Sequence, residues 1–280
     1  MLIKKFPFSA FSAFSAFSFS FLFLFSLLFA LFLSGCSSTQ ERDETVGWSA
    51  QKIYSTAKSA ASEGLYEKSA KYLERLEARY PYGRYAQQAQ LELCYVWWKA
   101  DEIANALAAC DRFLKLHPNH PNADYIYYLK GLINFKEDLG FVAYLGSSDP
   151  SERDSDASKE ALNSFAELLR RYPNSKYAPD AQKRVLYLVN ALAQKEIHVA
   201  KYYIKRQAFL AAANRAQQVL KDFPNTPSNE EALYIMVVAY KELGLRQLHD
   251  DTLRIMQQNF PDSKYFKEGL FADKKWWHLW

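Results

Sequence analysis

Hydrophobic and polar positions divide the chain into two parts. From Phe6 to Leu33 the sequence is mostly Phe, Leu, Ala and Ser and contains no charged residue. Beyond this stretch apolar and polar residues alternate without long uncharged runs, and an apolar or aromatic residue followed by Pro recurs at intervals. The whole chain has only 9 Gly and 10 Pro, fewer than an all-β fold with many tight turns would need. The pattern therefore predicts an all-α protein behind an apolar leader.

The leader has the features of a secretory signal. Lys4 and Lys5 give it a basic start, and LSGC at 33–36 matches the lipobox of bacterial lipoproteins. We expect cleavage after residue 35, a lipid on Cys36, and a short polar tether over 36–45. Several acyl chains together anchor a protein stably, and we expect no other cofactor or prosthetic group. Ser37 stands where an Asp would favour retention in the inner membrane, so the pattern favours the periplasmic face of the outer membrane.

An uncleaved membrane helix is the alternative interpretation of the leader. The stretch from Phe6 to Leu33 is long enough to span a bilayer. Ser recurs through its first half, which weakens that interpretation.

The rest of the chain repeats itself around proline. Motifs of the kind RYP, LHP, RYP, DFP and NFP end at residues 81, 118, 173, 224 and 261, with intervals of 37, 55, 51 and 37 residues. Tetratricopeptide units have about 34 residues, and Pro ends a helix because it lacks the N–H donor. We predict a right-handed α-solenoid of about five helix pairs within residues 46–280. The units are 48–80, 84–117, 121–172, 176–223 and 228–260, and an aromatic and basic tail follows at 262–280.

Two units are longer than the repeat requires. The third contains a polar segment at 146–154 that predicts a loop. The first helix of the fourth should run from about Pro179 to Arg206 and project past its neighbours. The tail mixes Lys with Trp276, Trp277 and Trp280, and a capping helix, a partner contact and a membrane contact all remain open.

Composition and motifs argue against most other functions. Net charge is +4 and falls to about +2 without Lys4 and Lys5, so no basic stripe for nucleic acid is expected. Phosphate-binding and nucleophile-elbow motifs are missing from the sequence, and we expect no enzyme. Cys94 and Cys110 fall about one helical turn apart on paired helices, which predicts buried free thiols rather than a disulfide. His117 and His120 have no third ligand nearby in the sequence and are interpreted as turn residues.

Aromatic residues concentrate in the second and third units. Packing needs some of them, and Tyr and Trp are also favoured anchors at binding surfaces. We predict that a groove is lined by Tyr82, Tyr85, Trp98, Tyr125 and Tyr128.

With the repeat laid out, the chain resembles the BamD (ComL) family, lipoproteins of the outer-membrane β-barrel assembly machinery. The resemblance rests on RYPYGRYAQQAQL at 79–91, DRFL at 111–114, HPNHPN at 117–122, DYIYYLKGL at 124–132, YPNSKY at 172–177 and VAKYYIKRQA at 199–208. It extends from the lipobox to about Pro261, and the leader and tail depart from it.

The resemblance implies partners and a role. It implies binding to the POTRA domain of a BamA-like insertase through the later repeats, with Arg206 and Tyr203 at the contact. It also implies association with other Bam lipoproteins and reception of unfolded outer-membrane β-barrel proteins by the earlier repeats. An aromatic groove suits an extended peptide, and an Arg can hold a carboxylate at two points. A different periplasmic tetratricopeptide scaffold, coordinating cell division or a cell-wall enzyme, is the alternative.

Overall fold

The computed structural model describes residues 43–135 and 155–271. The leader, Cys36, the predicted loop at 146–154 and residues 272–280 lie outside the described residues. The described residues divide into two units, residues 43–47 and the residues from Trp48 onward. The helices of the described ranges are α1 (Ala50–Ser62), α2 (Tyr66–Arg79), α3 (Arg84–Lys99), α4 (Ile103–Leu116), α5 (Ala123–Asn134), α6 (Ser155–Arg171), α7 (Ala178–Lys205), α8 (Phe209–Asp222), α9 (Ser228–Glu242), α10 (Arg246–Asn259) and α11 (Tyr265–Glu268).

The fold class is all-α, as predicted, with stacked helix pairs of tetratricopeptide type. Each predicted unit contains two successive helices, from α1 with α2 to α9 with α10. Each helix packs on the next, and the first helices of neighbouring pairs also touch, α1 on α3, α3 on α5 and α7 on α9. This is the arrangement in which one surface of a solenoid is lined by first helices.

Four turns inside the pairs, those of the first, second, fourth and fifth pairs, share one geometry. The residue after the helix cap has a left-handed backbone, with φ of 79° at Gly64, 62° at Asp101, 58° at Gln207 and 71° at Gly244. The next amide bonds a carbonyl five residues back, as in Ala208 N–H to Tyr203 C=O at 2.9 Å. This bond satisfies one of the last carbonyls of the helix, and the left-handed residue turns the chain sharply.

The turns between pairs are made by the residue before proline. Tyr80, His117, Phe223 and Phe260 have φ between −127° and −136° and ψ between 57° and 68°. These values lie outside the α region that a following Pro disfavours, so the helix stops there.

In two of these turns a Ser lies two residues after the Pro but does not cap the next helix. Ser175 and Ser263 accept the N–H of Tyr177 and Tyr265 within the turn, two residues on, instead of capping from an N-cap position. The Asn or Asp before each Ser takes the remaining turn position, so the helix begins later than the motif suggests.

We predicted that the long helix α7 would project past its neighbours, but neighbouring helices pack along both of its halves. Its first half places Ala181 and Leu188 in a core cluster with Phe165 of α6. Its second half places Ile197 and Ile204 in a separate cluster with α8 and α9. Both halves of α7 are therefore packed, the first on α6 and the second on α8 and α9.

The two cysteines belong to one buried core cluster. Cys94 and Cys110 are both fully buried free thiols, on α3 and α4. The hydrogen bond to the Cys94 thiol and the burial of the site raise the pKa of Cys110 well above its ordinary value. Both residues are therefore buried free thiols in the described structure, as predicted.

Candidate partner-binding surfaces

An aromatic cluster joins the third pair to the start of α7. The ring of Tyr177 lies 4.7 Å from that of Tyr128, nearly parallel, and 5.7 Å from that of Tyr125. On the far side, Phe135 lies 5.8 Å from Tyr187. We call these five residues the aromatic cluster. The structure thus brings together two of the predicted groove residues, Tyr125 and Tyr128.

Polar side chains fix this cluster. The Tyr128 hydroxyl donates to Asp180 Oδ2 at 2.7 Å, and Arg184 Nε donates to the same oxygen at 2.6 Å. The guanidinium of Arg184 also covers the ring of Phe135 at 4.7 Å. Burial and the bond to Asp180 raise the pKa of Tyr128. Partial burial alone would raise the pKa of Asp180, but the bonds from Arg184 and Tyr128 outweigh it and lower that pKa. Tyr128 is therefore held as a neutral donor against a charged carboxylate.

Sequence reasoning missed the α7 side of the cluster. Tyr177, Asp180, Arg184 and Tyr187 follow one another at intervals of three, four and three residues, which puts them on one face of a helix. That spacing is visible in the sequence.

The other three groove candidates lie elsewhere. Tyr85, in the first turn of α3, is half-buried with its ring 5.6 Å from Tyr54. Trp98, near the end of α3, is half-buried and meets the edge of Tyr95 at 6.2 Å. Tyr82 stands in the turn before α3 and is 90% exposed. The five candidates are thus spread along α3 and α5 and do not form one continuous cluster.

Glu92 links α1 to this face of α3. It accepts from the Tyr54 hydroxyl at 2.5 Å and from Gln88 Nε2 at 3.2 Å, and it pairs with Lys58 at 3.4 Å. Tyr54 has a raised pKa because of its burial and this bond. The polar contact holds the Tyr54 and Tyr85 rings beside each other.

A second surface forms where α7 ends. Tyr203 is half-buried on the core cluster of α7, α8 and α9, whereas Tyr202 and Arg206 are exposed. The Arg206 guanidinium lies 5.7 Å from the ring centre of Tyr202, and the two tyrosine rings meet edge to face at 5.9 Å. Lys205 adds a second cation. We call Tyr202, Tyr203, Lys205 and Arg206 the α7-end patch.

Neither surface has the features of a metal or membrane-crossing site. Within residues 43–135 and 155–271, no three His, Cys, Asp or Glu side chains are grouped so that they could hold a metal ion. No helix of those ranges is both long enough and apolar enough to span a bilayer. His117 and His120 pack their rings on Phe113, each at 5.2 Å, and His117 also bonds Gln90 at 2.7 Å.

Comparisons with known proteins cover most of the chain. The sequence profile of the family YfiO, described as an outer membrane lipoprotein, matches residues 48–255. The outer membrane protein assembly factor BamD of Neisseria meningitidis serogroup B is 45% identical over 262 residues, which are 92% of this chain and 98% of that protein. The BamD of Vibrio cholerae is 39% identical over 236 residues, 84% of this chain and 97% of that protein. A solved structure of PilW, a type IV pilus biogenesis factor, covers 77% of this chain and 95% of its own at 13% identity, with a TM-score of 0.33.

The family profile alone spans well over half of the chain, and the relatives align along nearly their whole length. The BamD of Haemophilus influenzae, at 34% identity, still covers 83% of this chain. The chain therefore belongs to the BamD family of outer membrane lipoproteins, whose members are outer membrane protein assembly factors.

Proposed function

We propose that the protein is a non-catalytic scaffold for the folding and insertion of outer-membrane β-barrel proteins. A lipid on Cys36 would hold it on the periplasmic face of the outer membrane. The α7-end patch would bind the POTRA domain of a BamA-like insertase beside other Bam lipoproteins. The aromatic residues of the turn before α3, of α3 and α5, and of the start of α7 would receive unfolded substrates.

The observation that carries the proposal is that one helix holds both surfaces. Asp180 and Tyr187 lie in the first turns of α7, and Arg206 caps its end. At 1.5 Å per residue, Arg206 is about 40 Å from Asp180 and about 30 Å from Tyr187 along one continuous helix. Separate core clusters bury the two halves, so each surface has its own support. A scaffold that hands an unfolded chain to an insertase needs two such sites at a fixed distance.

The chemistry of each surface suits its proposed partner. The α7-end patch has two cations and an exposed tyrosine, which fits an acidic, partly apolar protein surface. An Arg can hold a carboxylate through two parallel hydrogen bonds. The aromatic residues offer rings at several positions, which fits an extended peptide whose side chains alternate between apolar and polar.

The insertase contact is tested at Arg206. Arg206→Ala and Arg206→Glu should weaken binding of the isolated POTRA domain, Glu more than Ala, in titrations of the purified chain. Arg215→Ala is the matched control, since Arg215 is an exposed arginine on α8 that pairs with Glu196 at 2.9 Å. Equal POTRA affinity for Arg206→Glu and the parent would reject this contact.

The substrate surface is tested with a labelled peptide from the last strand of a β-barrel protein. Tyr82→Ala should weaken peptide binding without lowering the melting temperature, because the side chain is 90% exposed. Phe266→Ala is the control, because Phe266 is also exposed but lies on α11. Unchanged peptide binding in Tyr82→Ala would remove Tyr82 from the surface.

The anchor is tested at Cys36. Cys36→Ser should leave the precursor uncleaved and should shift it out of the outer-membrane fraction. A normally processed and normally localised Cys36→Ser chain would reject the lipidation.

A further inference from the structure

One face of α7 stays exposed between the aromatic cluster and the α7-end patch. From Tyr187 in the cluster to Tyr202 in the patch, residues recur on this face at intervals of four, three, four and four. Such spacing keeps side chains on one side of a helix. We call the middle of this face the α7 stripe. Its members are Tyr187, Asn190, Ala191, Gln194 and His198, of which His198 is half-buried and the others are exposed.

The stripe is exposed because the two halves of α7 bury opposite sides of the helix. Leu188 belongs to the core cluster that contains Phe165 of α6, and Ile197 belongs to the cluster with α8 and α9. Leu188 and Ile197 are nine positions apart, or about 2.5 turns of an α-helix, so their side chains point in opposite directions. The stripe lies between these two directions. It extends for about 22 Å from Tyr187 to Tyr202.

The stripe differs from an ordinary exposed helix face in its charge. None of its residues is Asp, Glu, Lys or Arg. The water-facing side of a helix normally carries charged residues, as α8 does with exposed Arg215 and Lys221. Charged side chains lie at both ends of the stripe, with Arg184 in the polar network of the aromatic cluster and Lys205 in the α7-end patch. The stripe therefore suits a ligand that is neutral over its length.

An extended peptide chain fits the spacing of the stripe. Asn190 and Gln194 are four residues apart, about 6 Å along the helix axis. The backbone groups on one edge of a strand repeat every two residues, or about 6.6–6.8 Å. A carboxamide can both donate and accept, so these two side chains can bind successive N–H and C=O groups of an unpaired strand. Ala191 lies between them and ends at its Cβ, which lets the peptide approach the helix closely.

We propose that the α7 stripe binds an extended, uncharged segment of an unfolded outer-membrane β-barrel protein and leads it from the aromatic cluster to the α7-end patch. This rests on the proposed function, which puts the substrate at one end of α7 and the insertase at the other. About seven extended residues cover the stripe. A transmembrane β-strand has about 9–11 residues, so one strand covers the stripe and still reaches the aromatic cluster. The contacts are few and uncharged, so each segment is held weakly and can be replaced by the next.

Photo-cross-linking from the stripe tests where the substrate lies. Benzoylphenylalanine is placed at Gln194 in the full chain, and a urea-unfolded β-barrel protein is diluted into the sample as the probe. We expect an adduct with the barrel protein from this position. No adduct above background should form from Gln217, a matched exposed glutamine on α8. The absence of a barrel-protein adduct at Gln194 would overturn the proposal, and an adduct between two copies of the chain in its place would assign the stripe to self-association.

Peptide length provides a second test. A peptide of about seven residues from the last strand of a β-barrel protein can occupy the aromatic residues alone, whereas one of about fourteen can also cover the stripe. We expect the longer peptide to bind the parent about fivefold more tightly, as one or two weak hydrogen bonds would give. Ala191→Glu should abolish this gain, because the peptide would have to desolvate a carboxylate. Ala166→Glu, at a matched exposed alanine on α6, should keep the gain. An equal gain in Ala191→Glu and the parent would overturn the proposal.

The two tests together separate this proposal from the proposed function. If Gln194 cross-links to the barrel protein but the short peptide does not bind the parent, the stripe stands and the aromatic substrate surface falls. If the short peptide binds the parent but no adduct forms at Gln194 and length brings no gain, the aromatic substrate surface stands and the stripe falls.

Discussion

Gly131 is the position where one added methyl group should be felt most strongly. It is buried in α5 and faces the fully buried ring of Phe165 on α6. A Cβ at this position would overlap the Phe165 ring, whose nearest carbon would be Cε1, with two further ring carbons at 2.6 Å. Ordinary contacts between carbons are about 3.5–4.0 Å, so the ring would have to retreat by roughly 1 Å.

The ring has little room to retreat. Phe165 lies 5.9 Å from the ring of Tyr128 and 6.2 Å from the ring of Phe135, so a shift would push on the aromatic cluster. Overpacking costs about 1–3 kcal/mol, and the close approach to three ring carbons puts this case at about 2–3 kcal/mol. Replacing a helical Gly by Ala returns about 1 kcal/mol. We therefore expect Gly131→Ala to lower the free energy of unfolding by about 1–2 kcal/mol. For a domain of this size the melting temperature should fall by about 3–6 °C.

The assay is thermal and urea unfolding followed by circular dichroism, with a double-mutant cycle as its control. Phe165→Leu removes the aromatic ring that the new methyl group would strike. The double variant should therefore lose less stability than the sum of the two single variants, with a coupling of about 0.5–3 kcal/mol. A melting temperature for Gly131→Ala at or above that of the parent would refute the reasoning, because it would show that the ring has space to move.

Three further changes test other features. Gln207→Gly should raise the free energy of unfolding by about 1 kcal/mol in urea titrations, since Gly adopts the left-handed backbone without strain; a loss of stability would contradict this. Because the pKa of Cys110 is raised in the fold, the stability it contributes is present below the unfolded pKa of about 8.5 and is lost as pH rises above it. The urea midpoint should thus fall as the pH is raised from about 8 to 9.5, and the fall should be smaller in Cys110→Ala. An equal fall in both proteins would contradict this prediction. Tyr80→Phe should cost about 1 kcal/mol of unfolding free energy, because the Tyr80 hydroxyl donates to the Trp48 carbonyl at 2.8 Å, and an unchanged urea midpoint would discount this bond.

The helix pairs could be predicted because a Pro follows the last helix of each pair. Pro cannot continue a helix, and the residue before it avoids the α region, so the motif marks a stop wherever it occurs. The turns inside the pairs carry a weaker signal. Gly64 and Gly244 suggest a left-handed backbone, but Asp101 and Gln207 adopt the same φ without any signature in the sequence. There the packing of the two helices imposes a conformation that the local residues disfavour.

The aromatic cluster could be predicted only on its α5 side. Tyr125 and Tyr128 stand out because the second and third units are rich in tyrosine. Their partner Tyr177 belongs to the next unit and is 49 residues from Tyr128, across a segment whose length gives no indication of the contact. Helix periodicity tells which residues share a face, but the choice of the opposing helix depends on how the pairs stack.

The interval of 51 residues before the fourth Pro was the most informative departure from the repeat. Stacking needs about 34 residues per unit, so the extra length of α7 serves something other than the repeat itself. In the structure that length lets Leu188 pack with α6 while Ile197 packs with α8 and α9. The side chains of the two proposed binding surfaces lie in its first and last turns, where the helix packs on different neighbours. A regular unit of about 34 residues would have a shorter first helix. A turn would then separate the two surfaces, and their distance would no longer be fixed by one continuous helix.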